Sequence, residues 1–260
     1  MGFKIVPSDN SAQEWLVLVH GISQDHRIFG SHLDALRPQF SLLLVDLPGH
    51  GLSSELPGPF GIGEFANSIE TAMAEAGIDA ALLWGTHLGA SAALILALRR
   101  PSLFKALALE APVFPSRTTG RLAEILSSVQ KTARLAGMAE ARTLWWEGSP
   151  WFNVMRANAD KCRAHEHRQI IEDFKGAPWL SELLSGSLEP IDEKLAAFEA
   201  PILIMNGEHD MQEFFSFSAQ LAGLLPNCHT VTIPQAGGFP LWEFPDATRA
   251  TVCRFFAESR

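Results

Sequence analysis

The sequence predicts an α/β fold: a doubly wound, mostly parallel sheet with a helical cap insertion. Three observations lead there. Short apolar runs alternate with longer segments of helical periodicity, the order expected when parallel strands are joined by crossover helices. The runs are near-continuously apolar rather than alternating, so both faces of each strand must be covered. With 260 residues, 47% of them hydrophobic and 19% charged, the chain can bury one large core and an appended cap.

The candidate strands are Trp15 to Val19, Ser41 to Val45, Ala80 to Leu83, Ala106 to Leu109, Ile202 to Met205 and His229 to Ile233. Helical candidates lie between or after them, at Ile62 to Ala76, Ala90 to Arg99, Phe217 to Leu224 and Phe244 to Ala257. The alternation stops between Pro115 and about Pro190, where "RLAEILSSVQKTARLAG" and "NVMRANADKCRAHEHRQIIEDF" follow one another without a strand. Residues 115–190 are therefore expected to form a helical cap over a core made of residues 1–114 and 191–260. Trp145, Trp146, Trp151 and Trp179 fall in that cap, to bury it against the sheet or to line an apolar pocket beneath it.

Composition restricts the partners. Lys and Arg total 20 against 29 Asp and Glu, a formal charge of -9 with no basic cluster, so nucleic acid is not expected as a partner. No run of about 18 apolar residues exists to span a bilayer, the N-terminal stretch lacks a signal-peptide core, and Val6 breaks the myristoylation pattern. Three widely spread cysteines, Cys162, Cys228 and Cys253, fit reduced thiols and a cytoplasmic setting. Cys162, His165 and His167 match no zinc spacing and are expected on a solvated helix face. "GIGEFA" follows a proline-broken loop rather than a strand, so it is no dinucleotide fingerprint. No metal and no organic cofactor is implied, and the expected partner is a small-molecule substrate, with the oligomeric state left open.

Four landmarks resemble the α/β-hydrolase fold superfamily, in particular its esterases, lactonases and carbon-carbon hydrolases. They are "VLVHG" at the first strand end, "VDLPGHGLS" from Val45, "GTHLG" at a strand-helix corner, and the pair "NGEHD" and "QAGGFPLWEFP". The resemblance implies an oxyanion hole made by the amides of Ile22 and Leu88, an acid at Asp210, and a nucleophile elbow at the corner. Two of its positions are altered: His87 stands where the elbow carries serine, and Gly238 where the last loop carries histidine. An acyl-enzyme route lacks both its nucleophile and its base at these positions.

Histidine tolerates the positive φ of an elbow. Gly238 is expected to vacate the volume of the usual imidazole, letting His87 swing toward Asp210, or toward Glu110 at the end of its strand, and act as a general base on water or on a substrate proton, for hydrolysis or a lyase step. Gly21, His26, Trp146, Trp151, Gly238 and Phe239 are the expected substrate-binding residues. The function so implied is an atypical enzyme acting without a covalent intermediate on a small, partly apolar carbonyl compound, with one ionisation near neutral pH. The alternative is a catalytically inactive hydrolase-fold protein that binds a small molecule.

Overall fold

The computed structural model describes residues 1–10, 14–113, 120–181 and 191–259. Its seven-stranded sheet has the order β1-β3-β2-β4-β5-β6-β7. The strands are β1 Phe3–Val6, β2 Trp15–Val19, β3 Ser41–Val45, β4 Ala81–Thr86, β5 Phe104–Glu110, β6 Ile202–Gly207 and β7 Cys228–Ile233. All neighbours pair in parallel except β1, which runs antiparallel to β3 at the edge. The apolar runs account for β2 to β7. Strand β1 has no such signal, because its four residues are half-buried or exposed and too short to display a period.

Helices α1 Ile62–Glu75 and α2 His87–Arg99 cover one face of the sheet. On the other face lie a turn at His26–His32 and the C-terminal helix, Pro245–Glu258. Between β5 and β6 the described residues 120–181 are helical: α3 Gly120–Leu135, α4 Met138–Gly148, α5 Ala164–Asp173 and shorter turns. Their apolar side chains, including Trp145, Trp151 and Phe152, join the core cluster that also holds Leu16, Leu44 and Trp84 of the sheet. Both expected cap boundaries fall on or beside residues outside the described ones. After β6 come α6 Gln212–Leu224, β7 and the C-terminal helix, labelled α7.

Chain direction reverses between β2 and β4: from β2 the order runs to β3 on one side, and from β4 to β7 on the other. In an open α/β sheet the crevice at the carboxyl ends of the strands flanking such a switch point is where ligands bind. Here those ends are His20-Gly21 and Thr86-His87.

Candidate active site

The corner after β4 is a tight turn from strand into helix. His87 takes φ +49°, in the left-handed region, and opens α2 directly, three residues earlier than the sequence pattern suggests. The turn is possible because its neighbours are small. A Cβ on Gly89 would lie 2.2 Å from the His20 carbonyl oxygen, and one on Gly85 would lie 2.8 Å from Ala90 Cα. The helix N-terminus is thereby pressed against the end of β2. Leu88, in its first turn, has an amide with no helical acceptor, and the dipole adds partial positive charge there.

The His87 ring lies buried in an apolar surround, with Phe239 at 4.6 Å and Phe214 at 5.5 Å between ring centroids. Nδ1 is 3.3 Å from the Ala111 carbonyl oxygen. A carbonyl can only accept, so Nδ1 carries the proton and Nε2 is left with its lone pair. Nε2 is buried and has no hydrogen-bond partner among the described residues. Burial pushes the His87 pKa down to about 4, opposed by the backbones of Ala111 and Gly238. The imidazole is therefore neutral at physiological pH.

His87, Ile22, Leu88, Trp145, Trp151 and Phe239 share one almost wholly apolar pocket of about 60 Å³. The amides expected to form the oxyanion hole thus belong to two residues that meet His87 at the same cavity. Trp146 does not reach it: its ring packs tilted at 4.8 Å from Phe152, and the neighbouring Trp145 takes the pocket position. His26 is also elsewhere. Its Nδ1 donates to Asp46 Oδ2 at 2.7 Å and its amide to Asp46 Oδ1 at 2.7 Å, which makes it a brace for the loop after β2.

The hydrogen bond expected from His87 to Asp210 or Glu110 is not formed. The space it needs is also taken. A Cβ on Gly238 would lie 2.4 Å from Trp151 Cβ, and the Gly238 amide donates to the Trp151 carbonyl at 3.2 Å. Trp151, not the elbow histidine, lies against the position from which a side chain on residue 238 would grow. Gly21 does approach His87: its added Cβ would sit 3.2 Å from His87 Cβ.

The carboxyl groups form a separate cluster. Asp210 accepts from the Met211 amide at 2.8 Å and from Asn206 Nδ2 at 3.5 Å, and burial pushes its pKa up to about 7. Glu110, fully buried, accepts from the Leu241 amide at 3.0 Å and the Thr86 hydroxyl at 3.5 Å. Its pKa is raised well above the carboxylate range by burial and by the charges of Glu243 and Asp210. Glu243 was not anticipated. It is 2% exposed, accepts the Gly237 amide through Oε2, and has no partner for Oε1 among the described residues, with burial raising its pKa to about 8. Its trace in the sequence is a single charge inside the apolar run "GFPLWEFP".

A second unanticipated residue is His167, which is buried rather than on a solvated face, as is Cys162. The reason is its place on α5, where Ala164, His167 and Ile171 recur at the three- and four-residue spacing of one buried stripe. Gln24 ties it to the loop after β2. Gln24 Oε1 accepts the Gly21 amide at 3.1 Å, so its amino group faces His167 Nε2 at 3.2 Å and donates to it. His50 Nε2 accepts the Ser23 amide at 3.3 Å, and His20 Nδ1 donates to the Gly21 carbonyl at 2.7 Å. The loop is thus held on both sides of Ile22, whose own amide has no partner among the described residues. Gln24→Leu leaves a buried amide and a buried imidazole nitrogen unpaired, and is expected to cost about 2–4 kcal/mol, read as a loss of unfolding free energy in urea. A change below about 0.5 kcal/mol would show that the loop is held without it.

The family model described as alpha/beta hydrolase fold matches residues 14–245. A pimeloyl-acyl-carrier-protein methyl ester esterase of Nitrosospira multiformis is 27% identical, covering 92% of this chain and 93% of its own. A RutD protein of Rhizobium rhizogenes, named as a proposed carbamate hydrolase, is 24% identical over 85% of this chain and 84% of its own. Among solved structures, the enol-lactonase of Burkholderia xenovorans superposes with a TM-score of 0.86 at 20% identity, covering 98% of this chain and 96% of that one.

Proposed function

Since the chain belongs to the α/β-hydrolase fold family, we propose that it binds a small, partly apolar carbonyl compound, an ester, lactone or β-dicarbonyl, in the His87 pocket and cleaves it with water. The carrying observation is that His87 lines the pocket with Nδ1 tied to the Ala111 carbonyl, while its buried Nε2 keeps a lone pair that has no partner among the described residues. Water bonded to Nε2 attacks the carbonyl carbon and gives its proton to Nε2 as the carbonyl π pair moves to oxygen. The amides of Ile22 and Leu88 receive that oxyanion. Collapse expels the leaving group, which takes the proton back from Nε2, so no covalent enzyme intermediate forms. Relatives named as an ester esterase and an enol-lactonase support this substrate range.

A base with a pKa of about 4 is unprotonated, yet weak, at neutral pH. The rate is accordingly expected to be flat from about pH 5 to 8 and to fall only as pH drops toward 4, where the imidazole gains its proton. The test is turnover of short-chain aryl esters, lactones and β-dicarbonyls across that range, with His87→Ala beside the wild type. Loss of about 10²-fold or more in the variant supports the base, and equal rates exclude it. Among the described residues no carboxylate bonds the His87 ring, which favours a second reading, a ligand-binding protein without turnover. On that reading His87→Ala still binds ligand and both proteins are inert.

A further inference from the structure

Trp151 sits where an active relative of this fold would need open space for an imbedded imidazole. Its Cβ, Cα and carbonyl oxygen lie 2.4, 3.1 and 3.0 Å from a Cβ placed on Gly238. The next glycine takes part in the same seating, since a Cβ on Gly237 would lie 3.0 Å from Val154 Cβ. The segment from Trp151 to Val154 therefore presses into the Gly237-Gly238 pair, and it could not do so against larger residues. From this seat the Trp151 ring packs on Trp145 at 4.8 Å and on Phe214 at 6.2 Å, and it forms part of the pocket wall.

What remains of the pocket is small and uncharged. Its volume of about 60 Å³ is less than half of the ~150 Å³ cavity that holds a benzene molecule in an engineered protein. His87 is neutral there, and no charged side chain lines the pocket to receive an anion.

We infer that Trp151 is the specificity-determining residue of this pocket: by filling the place of the absent imidazole it restricts the enclosed part of the ligand to an uncharged carbonyl group with a short chain, about four non-hydrogen atoms in all. This rests on the pocket being the ligand site proposed above. It does not need turnover.

Binding is therefore measured with ketones that cannot be hydrolysed: acetone, methyl propyl ketone and methyl hexyl ketone, followed by ligand-observed NMR. The wild type is expected to bind acetone, to bind methyl hexyl ketone at least about tenfold more weakly, and to place methyl propyl ketone between them, against the ordinary gain from added methylenes. Trp151→Ala, and Trp151→Leu as a milder variant, reverse that order. Wild-type affinity that rises with chain length, or an order unchanged in both variants, overturns the inference. Should neither variant fold, Gly238→Ala serves from the other side: it pushes on Trp151, and is expected to lower Tm by several degrees and acetone binding by about tenfold. Unchanged Tm and binding overturn the inference as well. A length preference without hydrolysis would end the catalytic reading and leave this one standing. Hydrolysis of short and long esters alike would do the opposite.

Discussion

The double substitution His87→Ser with Gly238→His, which restores the residue types of a serine triad, is expected to give a less stable protein with no new esterase activity. The sequence suggests the contrary, because Gly238 looks like empty space beside an intact acid. In the folded chain that space belongs to Trp151, 2.4 Å from where the new Cβ must go. Overpacking of this kind costs about 1–3 kcal/mol. The displaced imidazole then has no route to Asp210 on one side and the elbow hydroxyl on the other. Adding Trp151→Gly removes the Cβ that lies 2.4 Å from the new side chain and the indole beyond it, leaving the residue 151 Cα and carbonyl oxygen at 3.1 and 3.0 Å. The triple variant should recover stability relative to the double one and hydrolyse short aryl esters at least about tenfold faster than the wild type. Because triad members act as a unit, the gain should vanish when Asp210→Asn is added. Initial rates for the four proteins, with urea unfolding beside them, check this. High activity in the double variant alone would mean that Trp151 yields its place at little cost.

The second large effect is on stability against pH, which is expected to peak near pH 6.5. Burial holds His32 and His87 at about 4, His50 and His167 at about 3, and lowers His20 as well. A histidine with a lowered folded pKa supports the fold above its unfolded value of about 6.5, and that support is lost as pH falls toward 3 or 4. The carboxyl cluster acts in the opposite sense. Asp210 at about 7, Glu243 at about 8 and Glu110, raised well above its ordinary value, are protonated in the fold at pH where the unfolded chain has released its protons. Their contribution is complete below about pH 4 and is lost as pH rises through 7 to 8.

Between pH 4 and 6.5 the histidines outnumber the carboxyls, so stability rises with pH. Above 6.5 the histidines no longer change and the carboxyls alone set the slope, about 1.4 kcal/mol per pH unit for each one still protonated. Urea unfolding from pH 5 to 8.5 should trace this dome. Glu243→Gln keeps an acceptor for the Gly237 amide but cannot ionise, and should flatten the alkaline limb while leaving the acid limb in place. An alkaline limb equally steep in that variant would remove Glu243 from the account.

Residue spacing alone carried the sheet from β2 to β7, the helices joining those strands, and the corner that presents His87. These depend on local signals: apolar runs, helical periods and glycines at a tight turn, all of which act within a few residues. Ile22, Leu88 and His87 could be brought together on paper only through the resemblance to the α/β-hydrolase fold, which sets each at a strand end. What could not be read was anything that depends on residues from distant segments competing for one volume. Trp151 and Gly238 are far apart in the chain, and nothing local to either marks that one closes over the other. Burial of Glu243 and His167 has the same origin, since a polar side chain is placed by the apolar stripe it travels with and by the cap that closes over it. Likewise the His87 ring meets the Ala111 carbonyl rather than a carboxylate, between Phe214 and Phe239 from two other segments of the chain.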